Sequence, residues 1–255
     1  MIRRVGGVFI HEVKRALCTR GIGEFRFRVS QFGDYAFWCG NGTEYSRTVQ
    51  YGGEAIALGA FLFSLRPEDI VWDIGASIGL LSVHAASVAR AVVAFEPDPA
   101  TFRRLQQNLQ LNQLRDRVDC RMEALGDRGG DVELRTDGLA GNAPSVANLG
   151  RHAGVTTAHM TTIDQLVDST LPAPTVLKID VEGAELLVLR GGSRLLSSTR
   201  APRMIFLEVH PAFLPMFGGT AEAIDQLVSQ HEYEVAVRRV RGDQVHLLLT
   251  RRSDR

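Results

Sequence analysis

The stretch from Val71 to Gly79 constrains this chain more than any other part of its sequence. It spells Val-Trp-Asp-Ile-Gly-Ala-Ser-Ile-Gly and overlaps the apolar run Ile70 to Ile74, which is typical of a buried parallel strand. A second apolar segment, Leu80 to Val88, is long enough for a helix. Because glycine lets the backbone approach a ligand closely and a helix start offers free N–H groups, this strand, turn and helix predict a site for a polar ligand.

The next predicted strand ends in an acidic residue at an informative distance. Val92 to Phe95 leads into Glu96, which lies 21 residues after Gly75. An acidic group at this spacing lies where the ribose of a bound nucleoside presents its two hydroxyls. The fingerprint of dinucleotide binding needs a third glycine where Leu80 stands, and Asp73 would crowd a pyrophosphate. The pattern therefore favours S-adenosylmethionine, a nucleoside without phosphate, over a nicotinamide dinucleotide.

Strands that alternate with helices along the chain predict an α/β fold with a doubly wound, mostly parallel sheet. Two alternating segments, Tyr233 to Val240 and Gln244 to Thr250, predict a final antiparallel hairpin. Residues 1–50 are predicted to form an extension made of a helix and a hairpin, and residues 51–255 a single catalytic domain. The other predicted elements are helices at 5–17 and Ala55 to Leu65, and strands at Phe25 to Val29, Tyr35 to Cys39, Val118 to Met122, Thr175 to Ile179 and Arg203 to Val209.

Three side chains are predicted to begin helices by accepting hydrogen bonds from free backbone N–H groups. Asp98 precedes a proline, Thr162 forms a capping box with Gln165, and Thr220 precedes an apolar helix face. Within the segment 136–160, residues 136–155 are the least regular part of the chain, rich in glycine, alanine and asparagine and with few large apolar side chains. We predict that it forms a loop on the substrate side.

Charge and cysteine content limit the classes of partner. Lys plus Arg and Asp plus Glu number 29 each, so the formal net charge is zero and general nucleic-acid affinity is not expected. Cys18, Cys39 and Cys120 lack metal-ligand spacing and are typical of thiols in a reducing compartment. No apolar run approaches the ~20 residues of a membrane span. We expect a cytoplasmic protein that acts on a small molecule, with a homodimer left open.

Each predicted parallel strand is followed by an acidic residue, and the carboxyl ends of parallel strands meet at one edge of a sheet. A charge placed directly after a buried strand is costly unless it has a partner or a role. We therefore expect one functional cluster, made of Asp73, Glu96, Glu123, Asp180 with Glu182, and Glu208 with His210.

A methyl transfer to a hydroxyl needs accurate positioning and a base that takes the hydroxyl proton. Asp180 and His210 are the first candidates for this base, with Glu208 supporting the imidazole or binding substrate. The same three side chains are ligand types for a divalent cation, which could activate the hydroxyl. Their spacing in the sequence is not compact, so no metal is expected, and a metal-assisted reaction stays an alternative.

Further sequence blocks accompany the Val71 to Gly79 stretch. They are Phe95-Glu96-Pro97, Ala124-Leu125-Gly126-Asp127, Leu177-Lys178-Ile179-Asp180-Val181-Glu182-Gly183-Ala184-Glu185, Leu189-Arg190-Gly191-Gly192 and Leu207-Glu208-Val209-His210-Pro211. Together these blocks closely resemble the FkbM family of S-adenosylmethionine-dependent methyltransferases. The resemblance covers residues 51–211 and implies a class I, Rossmann-like methyltransferase fold with a seven-stranded sheet.

The resemblance also implies methyl transfer to a hydroxyl of a natural product, sugar or glycolipid. It implies that Asp73, Gly75 and Glu96 bind the cofactor and that Asp180 and Glu182 lie near the methyl group. An NAD(P)-dependent oxidoreductase with a Rossmann-like domain is the rival hypothesis. The predicted cofactor-binding residues are Glu54, Asp73, Gly75, Ala76, Ser77, Gly79, Glu96, Pro97, Glu123, Ala124 and Asp180, and the predicted catalytic residues are Asp180, Glu182, Glu208 and His210.

Overall fold

The computed structural model describes residues 2–136, 138–140, 154–169 and 171–252. The helices in this part of the chain are α1 (Ile2–Thr19), α2 (Gly42–Val49), α3 (Ala55–Ser64), α4 (Leu80–Ala85), α5 (Pro99–Leu111), α6 (Ile163–Ser169), α7 (Glu185–Gly191), α8 (Ser193–Leu196) and α9 (Ala221–Gln230). The strands are β1 (Phe25–Val29), β2 (Tyr35–Cys39), β3 (Ile70–Ile74), β4 (Ala91–Phe95), β5 (Val118–Arg121), β6 (Ala124–Leu125), β7 (Gly130–Thr136), β8 (Gly154–Thr161), β9 (Val176–Ile179), β10 (Met204–Val209), β11 (Tyr233–Arg241) and β12 (Gln244–Arg251). Short 3-10 turns lie at Tyr51–Gly53, Arg115–Arg117, Gly138–Ala140 and Leu214–Phe217.

Among the described residues, seven strands form the main sheet in the order β11-β12-β10-β9-β3-β4-β5, which confirms the predicted fold class. β3 pairs in parallel with both β4 and β9, whereas β12 is antiparallel to β10 and β11. The strand order therefore reverses at β3. Open α/β sheets bind ligands at the carboxyl edge of such a reversal, so this topology places a site beyond the ends of β3 and β9.

Both faces of the main sheet are covered by apolar side chains. Neighbouring residues of a strand point to opposite faces, and Val71 and Trp72 of β3 accordingly belong to two different buried clusters. Every residue of β9 and β10 is buried. This burial explains why the parallel strands appear in the sequence as continuous apolar runs rather than as alternating ones.

The three predicted helix caps are confirmed. Asp98 accepts a backbone N–H from three residues further on at 2.8 Å, and Thr220 does the same at 3.1 Å. Thr162 and Gln165 bond reciprocally, with 3.1 Å from the Gln165 N–H to Thr162 Oγ1 and 3.3 Å from the Thr162 N–H to Gln165 Oε1. Each cap satisfies a backbone donor that the helix itself leaves unpaired.

The predicted loop over residues 136–160 is wrong at its carboxyl end. β8 occupies Gly154–Thr161 and pairs antiparallel with β7 and parallel with β6 in a separate small sheet. Its side chains alternate between more exposed and more buried positions, the period of a strand, but few of them are large and apolar. At the other end of the predicted loop, Thr136 ends β7 and Gly138–Ala140 form a short 3-10 turn, whereas residues 137 and 141–153 lie outside the described residues.

The helices differ from the prediction in three places. α1 is longer than the predicted 5–17, and α4 ends at Ala85 instead of Val88. The sequence analysis does not predict α2, whose buried face includes Glu44 and Thr48. Polar residues on the buried face hide this helix from a search for apolar periodicity.

Asparagine side chains of α5 hold the N-terminal hairpin. Asn112 accepts the Ala36 N–H at 2.9 Å and donates to the Ala36 carbonyl at 2.7 Å, and Asn108 accepts the Trp38 N–H at 2.9 Å. These bonds pair the outer edge of β2, beside which the described residues place no further strand. The boundary of the extension at residue 50 stays a prediction. Within the described residues we find no helix with the length and apolar character needed to cross a membrane.

Candidate active site

A cavity of about 510 Å³ opens at the carboxyl edge of the main sheet, where the strand order reverses. Most of the residues that the sequence predicts for the site line it: Glu54, Gly75, Ala76, Ser77, Glu96, Pro97, Glu123, Ala124, Asp180, Glu182, Glu208 and His210. Asp73 and Gly79 are not among the lining residues. The acidic residues that end successive strands therefore do meet around one space.

The turn after β3 fits tightly against the end of β9. Gly75 has a φ of +80°, and a Cβ there would lie 1.8 Å from the carbonyl oxygen of Asp180, so only glycine fits this position. The N–H groups of Gly75 and Ala76 both donate to the Phe95 carbonyl, at 3.0 and 2.9 Å. These contacts hold the turn against the ends of both neighbouring strands.

Glu96 closes the same turn from the side of β4. Its carboxylate accepts the N–H of Ser77 and the N–H of Asp98, each at 2.9 Å, and the residue is 3% exposed. Burial raises the pKa of Glu96 to about 7, against the opposing effect of the two hydrogen bonds. A carboxylate offers about four acceptor sites, so Glu96 keeps capacity to accept hydroxyl donors from a ligand.

Lys178 of β9 joins the turn to two of the acidic residues. Its Nζ donates to the Gly75 carbonyl at 2.7 Å and lies 3.3 Å from both Asp73 Oδ1 and Asp180 Oδ2. Burial disfavours the charged amine, but the two carboxylates raise the pKa of Lys178 above its ordinary value. Burial likewise opposes ionisation of Asp180, yet the ammonium holds the pKa of Asp180 below its ordinary value. Both groups are therefore charged at neutral pH.

Asp73 lies beneath the cavity instead of on its wall. Its Oδ2 accepts a hydrogen bond from Ser82 Oγ at 2.5 Å, and its Oδ1 faces Lys178. The residue is fully buried, so it acts on the site through Lys178. A direct role of Asp73 in cofactor binding stays a prediction.

The sequence predicts that Glu208 supports the His210 imidazole, and this prediction is wrong. In the structure the supporting carboxylate is Glu185. Glu185 Oε1 lies 2.8 Å from His210 Nδ1 and also accepts the Gly183 N–H at 2.8 Å. Glu208 Oε1 is 3.7 Å from His210 Nε2, too far for a hydrogen bond. Burial opposes a charged imidazole, but the Glu185 hydrogen bond and the Asp180 charge raise the pKa of His210 to about 10.

The turn between β11 and β12 completes the wall next to His210. Arg241 Nη1 donates to Glu54 Oε1 and to Gln244 Oε1, each at 2.8 Å. This orients the Gln244 amide so that its Nε2 lies 3.2 Å from His210 Nε2. Two N–H groups cannot hydrogen-bond to each other, so the contact fits an imidazole whose Nε2 carries a lone pair. The raised pKa of His210 favours a doubly protonated ring at neutral pH, and with that ring the Gln244 amide must turn so that its oxygen faces Nε2.

Glu54 and Glu208 approach each other across this wall. Burial is the main cause that raises the pKa of Glu54 to about 7, and the Glu208 and Asp180 charges add to it. The second oxygen of Glu208, Oε2, lies 3.4 Å from Nε2 of His246, a residue of β12. Glu208 is thus placed between two imidazoles.

A comparison with protein families identifies the chain. Residues 73–235 match the methyltransferase FkbM domain, which is more than half of the 255 residues. The chain belongs to the FkbM family. It is therefore a methyltransferase, which replaces the rival hypothesis of a nicotinamide-dependent oxidoreductase.

Individual relatives agree with this FkbM assignment. The chain is 30% identical over 207 residues to the hexuronic acid methyltransferase AglP of Haloferax volcanii, covering 79% of each chain. It is 27% identical over 231 residues to the 31-O-demethyl-FK506 methyltransferase FkbM of Streptomyces tacrolimicus, covering 74% of this chain and 83% of that protein. The crystal structure of an FkbM methyltransferase from Methylobacillus flagellatus matches with a TM-score of 0.50 and 20% identity, over 80% of this chain but 47% of that longer one. This last likeness supports the class I methyltransferase fold alone.

Sequence reasoning missed four residues that shape the FkbM-family site. Lys178 is a lysine inside an otherwise apolar buried strand, and such a residue needs a charged partner, so this signal could have been used. Glu185 stands five residues after Asp180 in the same sequence block. Arg241 and Gln244 lie in a hairpin turn, where polar residues are ordinary and carry no signal of function.

Proposed function

We propose that this methyltransferase transfers a methyl group from S-adenosylmethionine to a hydroxyl oxygen of a small molecule. The observation that carries the proposal is Glu96, a buried carboxylate on the cavity wall beside the glycine turn. The cavity volume lies within the range of sites for small molecules and cofactors. Two relatives carry the name of an acceptor, a hexuronic acid in one and 31-O-demethyl-FK506 in the other.

The arrangement gives each part of the cofactor a chemical partner. Ribose hydroxyls would donate to Glu96, and the amino-acid tail would lie over the turn from Gly75 to Ser77. Asp180 and Glu182 line the same cavity, and their negative charge would favour the sulfonium. We assign Pro97, Glu123 and Ala124, which also line the cavity, to the surroundings of the nucleoside. We assign Glu54, another lining residue, to the acceptor side.

In the proposed reaction the acceptor oxygen attacks the methyl carbon in line with the departing sulfur. The new C–O bond forms as the C–S bond breaks. The electron pair of the C–S bond stays on sulfur, which gives S-adenosylhomocysteine. The hydroxyl proton passes to a base, for which Asp180 and His210 are the candidates on the cavity wall. Asp180 is already ionised at neutral pH, whereas His210, with its raised pKa, would first have to lose its Nε2 proton. Glu182 and Glu208 would position the acceptor. The proximity of these groups supplies most of the catalysis, because methyl transfer asks little other chemistry of the protein.

Calorimetry with S-adenosylhomocysteine tests the cofactor assignment. A hydrogen bond to a charged acceptor contributes about 1.5–3 kcal/mol, so Glu96→Ala should weaken binding roughly 10- to 100-fold. Asp119→Ala is the matched control, because Asp119 is an exposed acidic residue of neighbouring β5 that pairs with Arg121. Glu96→Gln, checked for folding by circular dichroism, keeps the side-chain shape. Wild-type affinity in both Glu96 variants would remove the ribose assignment.

A further inference from the structure

Five side chains form what we term the Glu208 cluster: Glu54, Asp180, Glu208, His210 and His246. Their donor atoms make two sets of three, Asp180 with Glu208 and His210, and Glu54 with Glu208 and His246. Within each set all donor atoms lie within 4.8 Å of one another. The sequence analysis expected no metal because the residues are far apart in the chain, but the fold brings them together.

The separations within the cluster suit a common ligand. Two donors that each lie about 2.1 Å from one cation are about 3.0–3.4 Å apart. Glu208 Oε1 and His210 Nε2 are 3.7 Å apart, so a small rotation of either side chain would bring them into this range. Asp180 has a side chain that is 29% exposed and lines the cavity, so it is free to adjust.

His210 is held in the way that metal-binding histidines usually are. Such residues donate one ring N–H to a carboxylate, which fixes the tautomer and points the other nitrogen at the ion. Here Glu185 Oε1 accepts a hydrogen bond from Nδ1–H at 2.8 Å, and a cation would displace the proton of Nε2, so that its lone pair faces the ion. A cation at Nε2 would take the place of the Gln244 contact.

The charge of the cluster is unbalanced. Among the described residues, its ion-pair network joins five carboxylates, Glu54, Asp73, Asp180, Glu185 and Glu208, to two permanent cations, Lys178 and Arg241. Protonation of His210 and partial protonation of Glu54 reduce this excess of three negative charges but do not remove it, and buried charge is costly unless cations or protons compensate it. A divalent cation would neutralise most of this excess.

His246 provides an independent observation. It is 3% exposed, and neither of its ring nitrogens has a hydrogen-bond partner among the described residues, although Nε2 faces Glu208 Oε2 at 3.4 Å. Buried imidazoles are normally hydrogen-bonded, so an unpartnered ring aimed at Glu208 indicates a missing component.

We propose that Asp180, Glu208 and His210 bind a divalent first-row cation such as Mn²⁺, whose remaining positions hold oxygen atoms of the acceptor. The acceptor clause rests on the proposed function, but cation binding does not. These three residues line the cavity, whereas His246 does not and Glu54 is already paired with Arg241. Mixed carboxylate and imidazole donors suit Mn²⁺ and its neighbours better than Mg²⁺ or Ca²⁺.

The cation would hold the acceptor hydroxyl and lower its pKa, so that the proton leaves to water. This role and a general-base role exclude each other for His210, because a bound cation would occupy the one lone pair of Nε2 that a base would use. His246 would then orient Glu208 from its second oxygen.

The test is titration of the chelator-treated full chain with Mn²⁺, followed by electron paramagnetic resonance. We expect one bound ion per chain and a spin-echo modulation from imidazole ¹⁴N. Asp180→Asn, Glu208→Gln and His210→Gln should each weaken binding at least about tenfold, and His210→Gln should abolish the ¹⁴N modulation. His159→Gln is the matched control, because it alters an exposed histidine and carboxylate pair outside the cavity. It should leave the affinity unchanged.

Three results would overturn the inference: no bound ion at one equivalent, unchanged affinity in Glu208→Gln, or loss of the ¹⁴N modulation in His246→Gln instead of His210→Gln. The wild-type spectrum decides the matter if a variant fails to fold. S-adenosylhomocysteine binding is measured on the same sample without Mn²⁺. S-adenosylhomocysteine binding without Mn²⁺ binding refutes only the cation site. Mn²⁺ binding without S-adenosylhomocysteine binding refutes only the proposed cofactor.

Discussion

Replacing Gly75 by alanine should disturb the site more than any other single methyl group we can add to its backbone turns. The residue has a φ of +80°, which costs a residue with a Cβ about 1–2 kcal/mol. The added Cβ would also lie 1.8 Å from the Asp180 carbonyl oxygen, which is backbone and cannot rotate away. Overpacking of this kind typically costs 1–3 kcal/mol more. We therefore expect a loss of about 2–5 kcal/mol of unfolding free energy.

Gly218 offers a control that separates the two contributions. Its φ is also positive, +68°, but a Cβ there would meet nothing within 4 Å. Gly218→Ala should therefore lose only the conformational part, about 1–2 kcal/mol. Urea unfolding of both variants and the wild type, fitted with a common slope, measures the difference.

The same substitution should affect ligand binding. If the Asp180 backbone must move to admit the methyl group, the Asp180 side chain and its pairing with Lys178 move as well. Gly75→Ala should then weaken S-adenosylhomocysteine binding in calorimetry, while Gly218→Ala should not. Equal stability losses in the two variants would refute the argument that β9 closes tightly on the turn.

Two further predictions concern groups away from the cavity. Burial lowers the pKa of His84, so the folded ring stays neutral where the unfolded one, with an ordinary pKa of 6.5, takes up a proton. Stability should therefore fall as the pH drops below 6.5, by at most about 1.4 kcal/mol per pH unit, and urea unfolding of His84→Phe should show a smaller slope between pH 7 and pH 5.5. An unchanged slope would exclude His84 as the cause. Asp69 accepts hydrogen bonds from Arg203 Nε at 3.0 Å and from Thr175 Oγ1 at 2.8 Å, so Asp69→Asn should cost about 3 kcal/mol at pH 7 by leaving Arg203 partly buried without its partner. Asp34→Asn, which breaks an exposed pair, is the control, and an equal loss in both variants would contradict the prediction.

The elements that the sequence predicted well are those whose signal is local. β3 and β4 are largely apolar runs that end at a glycine or an acid, and the caps at Asp98 and Thr220 need only the next few residues. β8 and α2 were missed because their stability comes from pairing and from buried polar groups that a hydrophobic pattern does not register.

The candidate site shows the same limit. The lining acids could be predicted, because the carboxyl ends of parallel strands converge by topology. Their partners could not, since Lys178 meets Gly75 across 103 positions of sequence and Arg241 meets Glu54 across 187. Glu185 supports His210 because the start of α7 lies next to the His210 ring. This proximity is a tertiary property, and no rule of sequence spacing predicts it.

The β11–β12 hairpin gives the cavity two walls of separate origin. The turn at Gly75 and the Glu96 side chain follow β3 and β4 of the main sheet. Arg241, Asp243 and Gln244 belong instead to the short reversal between β11 and β12. Under the proposed function, lengthening that reversal by a residue or two would reshape the acceptor side and leave the nucleoside side intact. Changes confined to residues 241–244 would then alter which acceptor fits while the contacts to the methyl donor stay as they are.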